Sequence, residues 1–269
     1  MATVNMSATK WSRIAYRTCY NEHSKPLMKF SVIIPAHNEE QYIEKALQAI
    51  LAQDYPDFEV IVVDNNSTDK TYEVANDFAE KLQSSGKLNV PIIVIKESQK
   101  GTMAACERGR SVAKGDVIAR LDADCLPDRD WLVKAAKLFT NEKVVAVSGP
   151  YDFYDAGKAF RAISDLHQRN LYSSANAILQ LLHMGAITIG GNSMFRAVAL
   201  EEIGGFDKTI TFYGDDINIA RRIAKIGKVV FNRDLTMRTS ARRFKKEGTI
   251  RTQSRYVYYF LKESFSRMK

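Results

Sequence analysis

Residues 116–127, with the sequence DVIARLDADCLP, decide the fold and lead to the candidate site. The apolar run up to Leu121 predicts a buried strand, and Asp122 and Asp124 follow it directly. Two carboxylates separated by one residue at the end of a strand cannot both point into a core. In a turn they offer hard oxygen ligands of the kind that Mg²⁺ or Mn²⁺ binds. A helix cap beside a solvated carboxylate explains the same pair, so this motif alone does not decide.

Strands and helices alternate on both sides of this stretch. Short apolar runs predict strands at residues 30–34, 58–63, 91–95, 116–121 and 229–231. The spacing of apolar residues predicts helices at residues 39–51, 70–83, 102–113, 131–139, 158–182 and 215–226. We also expect a strand at residues 186–195, interrupted by Gly190 and Gly191. The alternation predicts an α/β fold: a Rossmann-like, mostly parallel sheet sandwiched by helices in a single domain.

The carboxyl ends of the strands predict where a ligand binds. In open α/β sheets, ligands bind beyond these ends. The polar loops after Ile34, Val63 and Leu121 should therefore converge on one cleft.

Two further acidic motifs have local explanations as well as chemical ones. Asp64 opens the polar stretch 64–69, DNNSTD, whose composition suits a turn or a helix cap but leaves Asp64 free to accept an N–H. Asp215 and Asp216 follow Gly214 at the start of a predicted helix, where acidic residues are stabilised by the helix dipole. A carboxylate in that position is also suited to accept a proton from a hydroxyl group.

Composition fits one folded domain. The chain has 269 residues, of which 45% are hydrophobic and 26% charged, and these fractions argue against disorder of the whole chain. Its three cysteines form neither a CxxC pair nor a regular framework, which argues against a zinc site or a disulfide scaffold and favours a reducing, cytoplasmic compartment. The N-terminus has no continuous apolar segment, so we expect no signal peptide.

Positive charge is concentrated towards the C-terminus. The net charge is +8, and residues 238–269 contain ten Lys or Arg against two acidic residues. Such a segment suits polyphosphates, nucleic acid or an anionic membrane face. Residues 250–268 predict a basic, aromatic amphipathic helix. This helix either lies on the anionic inner face of a membrane, as a peripheral contact, or packs its aromatic residues on the domain or in a homodimer.

Six motifs occur in a fixed order along residues 30–245. They are Pro35-Ala36-His37-Asn38-Glu39-Glu40, Asp64-Asn65-Asn66-Ser67-Thr68-Asp69, Asp122-Ala123-Asp124, Gly190-Gly191-Asn192-Ser193, Ile203-Gly204-Gly205-Phe206-Asp207 and Gly214-Asp215-Asp216. As an ordered set they closely resemble family 2 glycosyltransferases with the GT-A fold. The resemblance implies an N-terminal extension (1–28), a GT-A domain (29–245, with a nucleotide half of about 29–128 and an acceptor half of about 129–245) and a basic C-terminal amphipathic helix (246–269).

The resemblance also implies roles for single residues. Asp122 and Asp124 correspond to the metal-binding pair, Asp122 also lying near the ribose, and Asp216 to the catalytic base with Asp215 as its acidic neighbour. The remaining implied positions bind substrate: the nucleotide loop Pro35, Ala36 and Glu39; Asp64, which recognises the base, and Asn66 in the same turn; Lys100 and Gly101 towards the donor; Gly190, Gly191 and Asn192 on the sugar and acceptor side; and Arg242 and Arg243 towards the diphosphate or an anionic acceptor.

Two positions depart from the family pattern. Members often carry Ala-Arg-Asn where this chain has Ala105-Cys106-Glu107, and Lys100 or Arg108 is the candidate replacement for the missing cation. Many members also carry a late histidine as a further metal ligand, whereas residues 237–243 contain none.

The implied function is that of an inverting glycosyltransferase. It would move a sugar from a nucleoside-diphosphate sugar to an acceptor hydroxyl with Mn²⁺ or Mg²⁺, and the unidentified acceptor includes lipid-linked compounds among its candidates. One alternative is a non-catalytic nucleotide- or nucleic-acid-binding protein on a degenerate form of this fold, although the intact acidic motifs argue against it. The other is a nucleotidyltransferase, which normally needs a Gly- and Lys-rich first loop, whereas this loop is acidic.

Overall fold

Four parallel strands form one half of the central sheet. A computed structural model describes residues 27–86, 90–210, 214–249, 251–252, 254–255 and 258–259. β1 (Phe30–Ala36) lies between β2 (Phe58–Asp64) and β4 (Val117–Arg120), and β3 (Ile92–Lys96) lies outside β2. All three neighbouring pairs are parallel. β1 and β2 are buried along almost their whole length, as continuous apolar strands of a parallel sheet usually are.

Three more strands complete the seven-stranded sheet, in the order β3-β2-β1-β4-β8-β6-β9. β8 (Ser193–Arg196) is antiparallel to both β4 and β6 (Val144–Ser148), whereas β9 (Lys228–Phe231) is parallel to β6. The antiparallel strand carries the residues after Gly190 and Gly191 back alongside the end of β4.

A second, small sheet lies next to the end of the predicted metal motif. Its strands are β5 (Leu126–Pro127), β10 (Met237–Thr239) and β7 (Tyr151–Phe153), in the order β5-β10-β7. β5 begins two residues after Asp124. Because β10 pairs with β5, this sheet brings residues 237–239 close to Asp124.

Helices pack on both faces of the central sheet. They are α1 (Ile43–Leu51), α2 (Thr71–Ser85), α3 (Thr102–Arg110), α4 (Trp131–Phe139), α5 (Lys158–Leu166), α6 (Ser173–Leu181), α7 (Ala197–Glu202), α8 (Asp215–Ile223) and α9 (Arg242–Glu247), with a π-helical turn (His167–Tyr172) between α5 and α6. One core cluster includes Leu47 and Trp131, and the other includes Ile33, Phe195 and Ile219. The predicted α/β fold, a mostly parallel sheet between helices in one domain, is confirmed.

Two predicted elements differ in detail. The strand expected at residues 186–195 is limited to Ser193–Arg196, because Gly190–Asn192 form a 3₁₀ turn instead. The Ser193 hydroxyl donates to the Gly190 carbonyl at 2.8 Å and holds that turn. The helix expected at residues 158–182 forms with a π-helical turn in its middle.

Parts of both predicted terminal segments lie outside the described residues. These are residues 1–26 of the expected N-terminal extension and residues 250, 253, 256, 257 and 260–269 of the expected C-terminal helix. Within the part of the chain that the structure describes, no helix combines the length and the hydropathy needed to cross a bilayer.

Candidate active site at the carboxyl edge of the sheet

The loops that follow β1 and β2 are joined by hydrogen bonds between side chains and backbone. Asn38 has a φ of 57°, and its Oδ1 accepts from the backbone N–H of Thr68 at 2.8 Å. The backbone N–H of Glu39 donates to the Thr71 hydroxyl at 2.7 Å. Short polar side chains of this kind fix irregular loops by satisfying their backbone groups. The polar sequences after the two strands therefore hold both loops at one edge of the sheet.

Asn65 fixes a third loop to the same edge. Its Oδ1 accepts from the backbone N–H of Gly101 at 2.8 Å, and its Nδ2 donates to the carbonyls of Glu97 and Gln99 at 3.1 and 2.7 Å. Gly101 has a φ of 135°, which side chains other than glycine's rarely allow. The loop before α3 is thus held by Asn65 at the end of β2.

Two carboxylates at this edge each have one buried oxygen without a hydrogen-bond partner among the described residues. These oxygens are Oδ1 of Asp64, a side chain at the end of β2 that is 4% exposed, and Oε2 of Glu39. An unpaired buried acceptor costs about 1–3 kcal/mol. Asp64 pairs in register with Ala36, the last residue of β1. Both oxygens are suited to accept an N–H or O–H from a bound ligand.

A buried arginine joins the end of β4 to the start of α8. Arg120 is 8% exposed, and its Nη1 lies 2.7 Å from Oδ2 of Asp215 and 3.2 Å from Oδ1 of Asp216. Its Nε lies 3.3 Å from Oδ1 of Asp122. One guanidinium therefore contacts two predicted acidic motifs, although Arg120 and Asp215 are 95 positions apart. The planar guanidinium, with its five donors, is suited to hold several carboxylates at once.

Gly190 and Gly191 leave room for these carboxylates. A Cβ on Gly190 would lie 2.8 Å from Oδ1 of Asp216, and one on Gly191 would lie 2.6 Å from both the hydroxyl of Tyr151 and Cγ of Asp122. The backbone N–H of Gly191 donates to the Tyr151 hydroxyl at 2.8 Å, and this hydroxyl lies 3.4 Å from Oδ2 of Asp122. Any larger residue at either position would displace the carboxylate beside it.

Asp124 is contacted from the C-terminal side of the domain. Nε of Arg242 lies 3.0 Å from Oδ2 of Asp124, and the same guanidinium also pairs with Glu39. The hydroxyl of Thr239 lies 3.4 Å from Oδ1 of Asp124. The guanidinium carbon of Arg242 lies 4.4 Å from the centre of the Tyr42 ring, as in a cation–π contact. Three residues predicted from separate motifs, Glu39, Asp124 and Arg242, thus lie together.

The electrostatics of Asp216 suit a proton acceptor. Burial, and after it the negative charge of Asp215, raise the pKa of Asp216 to about 8, although Arg120 opposes the shift. A carboxyl group with so high a pKa holds a proton more firmly than an ordinary aspartate. Asp216 lies deep among protein atoms, yet its side chain keeps 35% of its surface open to solvent, against 13% for Asp215, so Asp216 is the more accessible of the pair.

The carboxylates of Asp122 and Asp124 fit a divalent cation. Burial raises the pKa of Asp124, and the nearby charge of Asp122 adds to this rise, while Arg242 opposes it. Burial also raises the pKa of Glu39. A bound cation would offset this excess of negative charge. No cluster of three or more His, Cys, Asp or Glu suited to a metal is found among the described residues, so phosphate oxygens and water would complete the shell.

The side chain of Asn192 forms hydrogen bonds within the protein interior. It is fully buried, and its Oδ1 accepts from the Trp131 indole N–H at 2.9 Å. Its Nδ2 donates to the Leu235 carbonyl at 2.6 Å. With donor and acceptor both engaged, the amide of Asn192 holds the Gly190–Asn192 turn in place beneath the site.

The other predicted binding residues differ in exposure. Ala36 is buried and Pro35 half-buried at the end of β1, whereas Asn66 is exposed in a turn with a φ of 60°. Lys100 is exposed beside Gly101. The positive charge of Arg243 lies close enough to Asp124 to lower its pKa, against the larger effect of burial.

The departure at Cys106 and Glu107 has a structural reason. Cys106 is fully buried, and burial raises the pKa of its thiol to about 12, so it is an inert core residue. Glu107 accepts from the backbone N–H of Phe206 at 3.0 Å and pairs with Arg110 at 2.7 Å. Glu107 therefore anchors the loop that contains Phe206, while Arg108 is exposed.

Arg120, Tyr151 and Thr239 were not predicted as site residues. For Arg120 the signal was present, because a single charge inside an apolar strand needs a buried partner. Tyr151 and Thr239 reach the site through the small second sheet. Its strands are two or three residues long, too short for a periodicity that sequence could reveal.

The family model for glycosyl transferase family 2 matches residues 31–204, more than half of the chain. The chain therefore belongs to glycosyltransferase family 2. The matched residues include the loops after β1, β2 and β4 and the turn at Gly190–Asn192.

Curated proteins that are similar to this chain in sequence are named as glycosyltransferases. The chain is 30% identical to glycosyltransferase AglE of Haloferax volcanii over 73% of this chain and 62% of that protein. It is also 30% identical to the probable glycosyltransferase YdaM of Bacillus subtilis over 77% of this chain and 49% of that protein. The chain thus spans between 49% and 62% of the length of these two relatives.

Solved structures share the fold. A mannosyltransferase from Pyrobaculum calidifontis in complex with GDP-Man and Mn²⁺ superposes with a TM-score of 0.68 and 25% identity, over 97% of this chain and 74% of that one. Residues 1–349 of Staphylococcus aureus TarS in complex with UDP superpose with a TM-score of 0.59, over 80% and 61% of the two chains. At 19% identity, the second likeness shows the fold alone.

Arg120→Met should destabilise the protein in a pH-dependent way. Removing the guanidinium leaves carboxylates buried near one another without their cation, which costs about 3–5 kcal/mol. These carboxyl groups accept protons at low pH, so the loss in the free energy of unfolding should be larger at about pH 8 than at about pH 5. Urea unfolding at both pH values measures it.

The matched control is Arg110→Met, which removes a half-buried arginine from its pair with Glu107. This control should cost about 1 kcal/mol or less. Equal losses for Arg120→Met at both pH values would show that Arg120 does not hold the carboxylates.

Proposed function

We propose that this chain is an inverting glycosyltransferase that uses a nucleoside-diphosphate sugar, a divalent cation (Mn²⁺ or Mg²⁺) and an acceptor hydroxyl. One observation carries the proposal: acidic residues from three separate motifs meet at the carboxyl edge of one sheet. Asp64 ends β2, the pair Asp122 and Asp124 follows β4, and Asp216 at the start of α8 contacts Arg120 at the end of β4. Arg120 links the first residue of the metal pair to the proposed base. Such an arrangement provides nucleotide contacts, cation ligands and a proton acceptor in one site.

The donor end of the site is proposed to lie between the first loops and α9. Oδ1 of Asp64, which has no hydrogen-bond partner among the described residues, would accept an N–H from the nucleotide base. A divalent cation held by Asp122 and Asp124 would neutralise charge on the departing diphosphate. Arg242, which already contacts Asp124, and Arg243 add positive charge on the same side.

Asp216 is proposed to act on the acceptor. It takes the proton from the acceptor hydroxyl, whose oxygen then forms a bond to the anomeric carbon while the bond from that carbon to the diphosphate breaks. Attack from the face opposite the diphosphate inverts the configuration. Because its pKa is raised, Asp216 in its ionised form is a stronger base than an ordinary aspartate. Asp215, which Arg120 contacts at 2.7 Å, lies beside it.

The relatives support the choice of donor class. The mannosyltransferase from Pyrobaculum calidifontis, which shares this fold at 25% identity, was solved in complex with GDP-Man and Mn²⁺. The composition of the first loop argues against a nucleotidyltransferase, because Glu39 and Glu40 stand where such an enzyme normally has a Gly- and Lys-rich loop.

Asp216→Asn should slow sugar transfer without preventing donor binding. Loss of a general base lowers turnover by about 10²–10⁴-fold, whereas the diphosphate contacts remain. Manganese-supported release of nucleoside diphosphate from GDP-mannose and UDP-N-acetylglucosamine measures turnover, and calorimetry measures donor affinity. Asp234→Asn, which changes an exposed aspartate, is the control. Near-normal turnover in Asp216→Asn would remove Asp216 from this role.

Nucleoside diphosphates should stabilise the protein only when a divalent cation is present. Ligand at about 100 times its dissociation constant adds about 2.7 kcal/mol, so thermal unfolding with GDP or UDP and Mn²⁺ should shift upwards by several degrees. EDTA or Asp124→Asn should abolish the shift, because either removes the cation site. Asp128→Asn, a nearby exposed aspartate paired with Arg238, should retain it. A full shift in EDTA would refute cation-dependent binding.

A further inference from the structure

The helical segment 158–182, which includes α5, the π-helical turn and α6, has few charged residues, and most of them are ion-paired. Arg161 pairs with Asp152 on β7 at 2.6 Å. Arg169 pairs with Asp165 of the same segment at 2.5 Å and also donates to the Arg233 carbonyl at 2.6 Å. Arg161 and Arg169 therefore serve contacts with other parts of the domain.

Most of the large exposed side chains on this segment are apolar. Among residues 158–184, all of which the structure describes, the exposed polar residues are Lys158, His167, Asn170, Ser174 and His183, and the ion-paired side chains of Arg161 and Asp165 are 42% and 45% exposed. The exposed large apolar side chains are Ile163 (70%), Leu166 (66%), Leu171 (53%), Ile178 (56%), Leu181 (79%), Leu182 (58%) and Met184 (54%). A surface helix normally presents polar and charged residues to solvent. We call these seven residues the apolar face.

The π-helical turn keeps the apolar face continuous. Leu166 and Leu171 are five positions apart, a spacing that would rotate them away from one another on a regular α-helix. A π-helical turn closes i→i+5 hydrogen bonds and so brings residues at this spacing to the same side. At roughly 1.5 Å per residue, the segment extends on the order of 35–40 Å. The exposed apolar side chains therefore form a long ridge, which can lie along a flat surface.

Basic residues adjoin this ridge. α9 packs against α5 through Phe244 and Phe160, whose ring centres lie 5.2 Å apart, and both rings contact Phe153. α9 contains Lys245, which pairs with Asp155 at 3.2 Å, and the exposed Lys246. It lies within residues 238–269, which contain ten basic and two acidic residues. An apolar ridge beside a basic helix has the composition of a surface that lies on anionic lipid.

We propose that the apolar face of residues 163–184 docks on an anionic lipid bilayer, with the basic residues of α9 at the headgroups. A second copy of the chain fits less well. Each copy carries a net charge of +8, so like charge opposes the approach of a second copy. Anionic lipid offers opposite charge and a place for the apolar side chains.

Docking here would place the bilayer behind one wall of the site. Gln168 lies on the buried side of the segment, and its Oε1 accepts from the backbone N–H of Tyr151 at 2.8 Å. The hydroxyl of Tyr151 in turn contacts Asp122 and the Gly191 backbone. With the bilayer in this position, the acceptor hydroxyl would be carried by a lipid. That consequence rests on the proposed function, whereas the docking does not.

Vesicle sedimentation of the full chain tests the docking. The protein should sediment with vesicles of phosphatidylcholine containing about one third phosphatidylglycerol, and less with phosphatidylcholine alone. Leu166→Gln combined with Leu181→Gln should weaken the partition by about tenfold or more, because two exposed apolar side chains no longer enter the bilayer. Both residues are exposed, so thermal unfolding should stay close to that of the wild type.

Val198→Gln is the matched control, since Val198 is 71% exposed but lies on α7. It should sediment like the wild type. The proposal is overturned if the wild type does not sediment with anionic vesicles, or if the double variant binds them as well as Val198→Gln does. Sedimentation velocity gives a third test: a wild-type dimer that the double variant dissociates would assign the face to a second copy. Because vesicle binding needs no turnover, its failure is distinct from failure of the proposed function.

Discussion

The candidate site depends on one buried positive charge among carboxylates. Arg120 ends β4, and its guanidinium lies within 3.3 Å of Asp122, Asp215 and Asp216. A buried arginine is stable only when its charge is paired, and clustered carboxylates are tolerated only with such a partner. The arginine and the carboxylates therefore hold one another in place, and the contacts of Arg120 with Asp215 and Asp216 hold the start of α8 against the sheet. Gly190 keeps this contact open, since any side chain there would collide with Asp216.

Much of this arrangement was predictable because it follows from local regularities. Apolar runs alternating with helical spacing predicted the parallel strands, and the position of polar loops after those strands predicted which edge carries the site. Asp64 and Asp124 were placed by their distance from a strand end alone. The resemblance to family 2 glycosyltransferases added Asp216, whose own sequence context fits a helix cap equally well.

What sequence could not supply depends on contacts between distant parts of the chain. The amide of Asn192 holds Trp131 rather than facing a ligand, and Glu107 departs from the family pattern because it anchors Phe206. Neither partner is a sequence neighbour. The spacing of apolar residues likewise predicted a helix at residues 158–182 but not which of its side chains face outward. Its contacts with the domain are to partners distant in sequence, such as Asn176 with the Val229 carbonyl.

Anomalous diffraction from crystals grown with Mn²⁺ and a nucleoside diphosphate tests the central claim most directly. The manganese peak should lie on the order of 2 Å from carboxylate oxygens of Asp122 or Asp124. The diphosphate should lie between the cation and Arg242, and Asp216 should keep its contact with Arg120. Manganese and nucleotide bound away from this edge of the sheet would contradict a shared site.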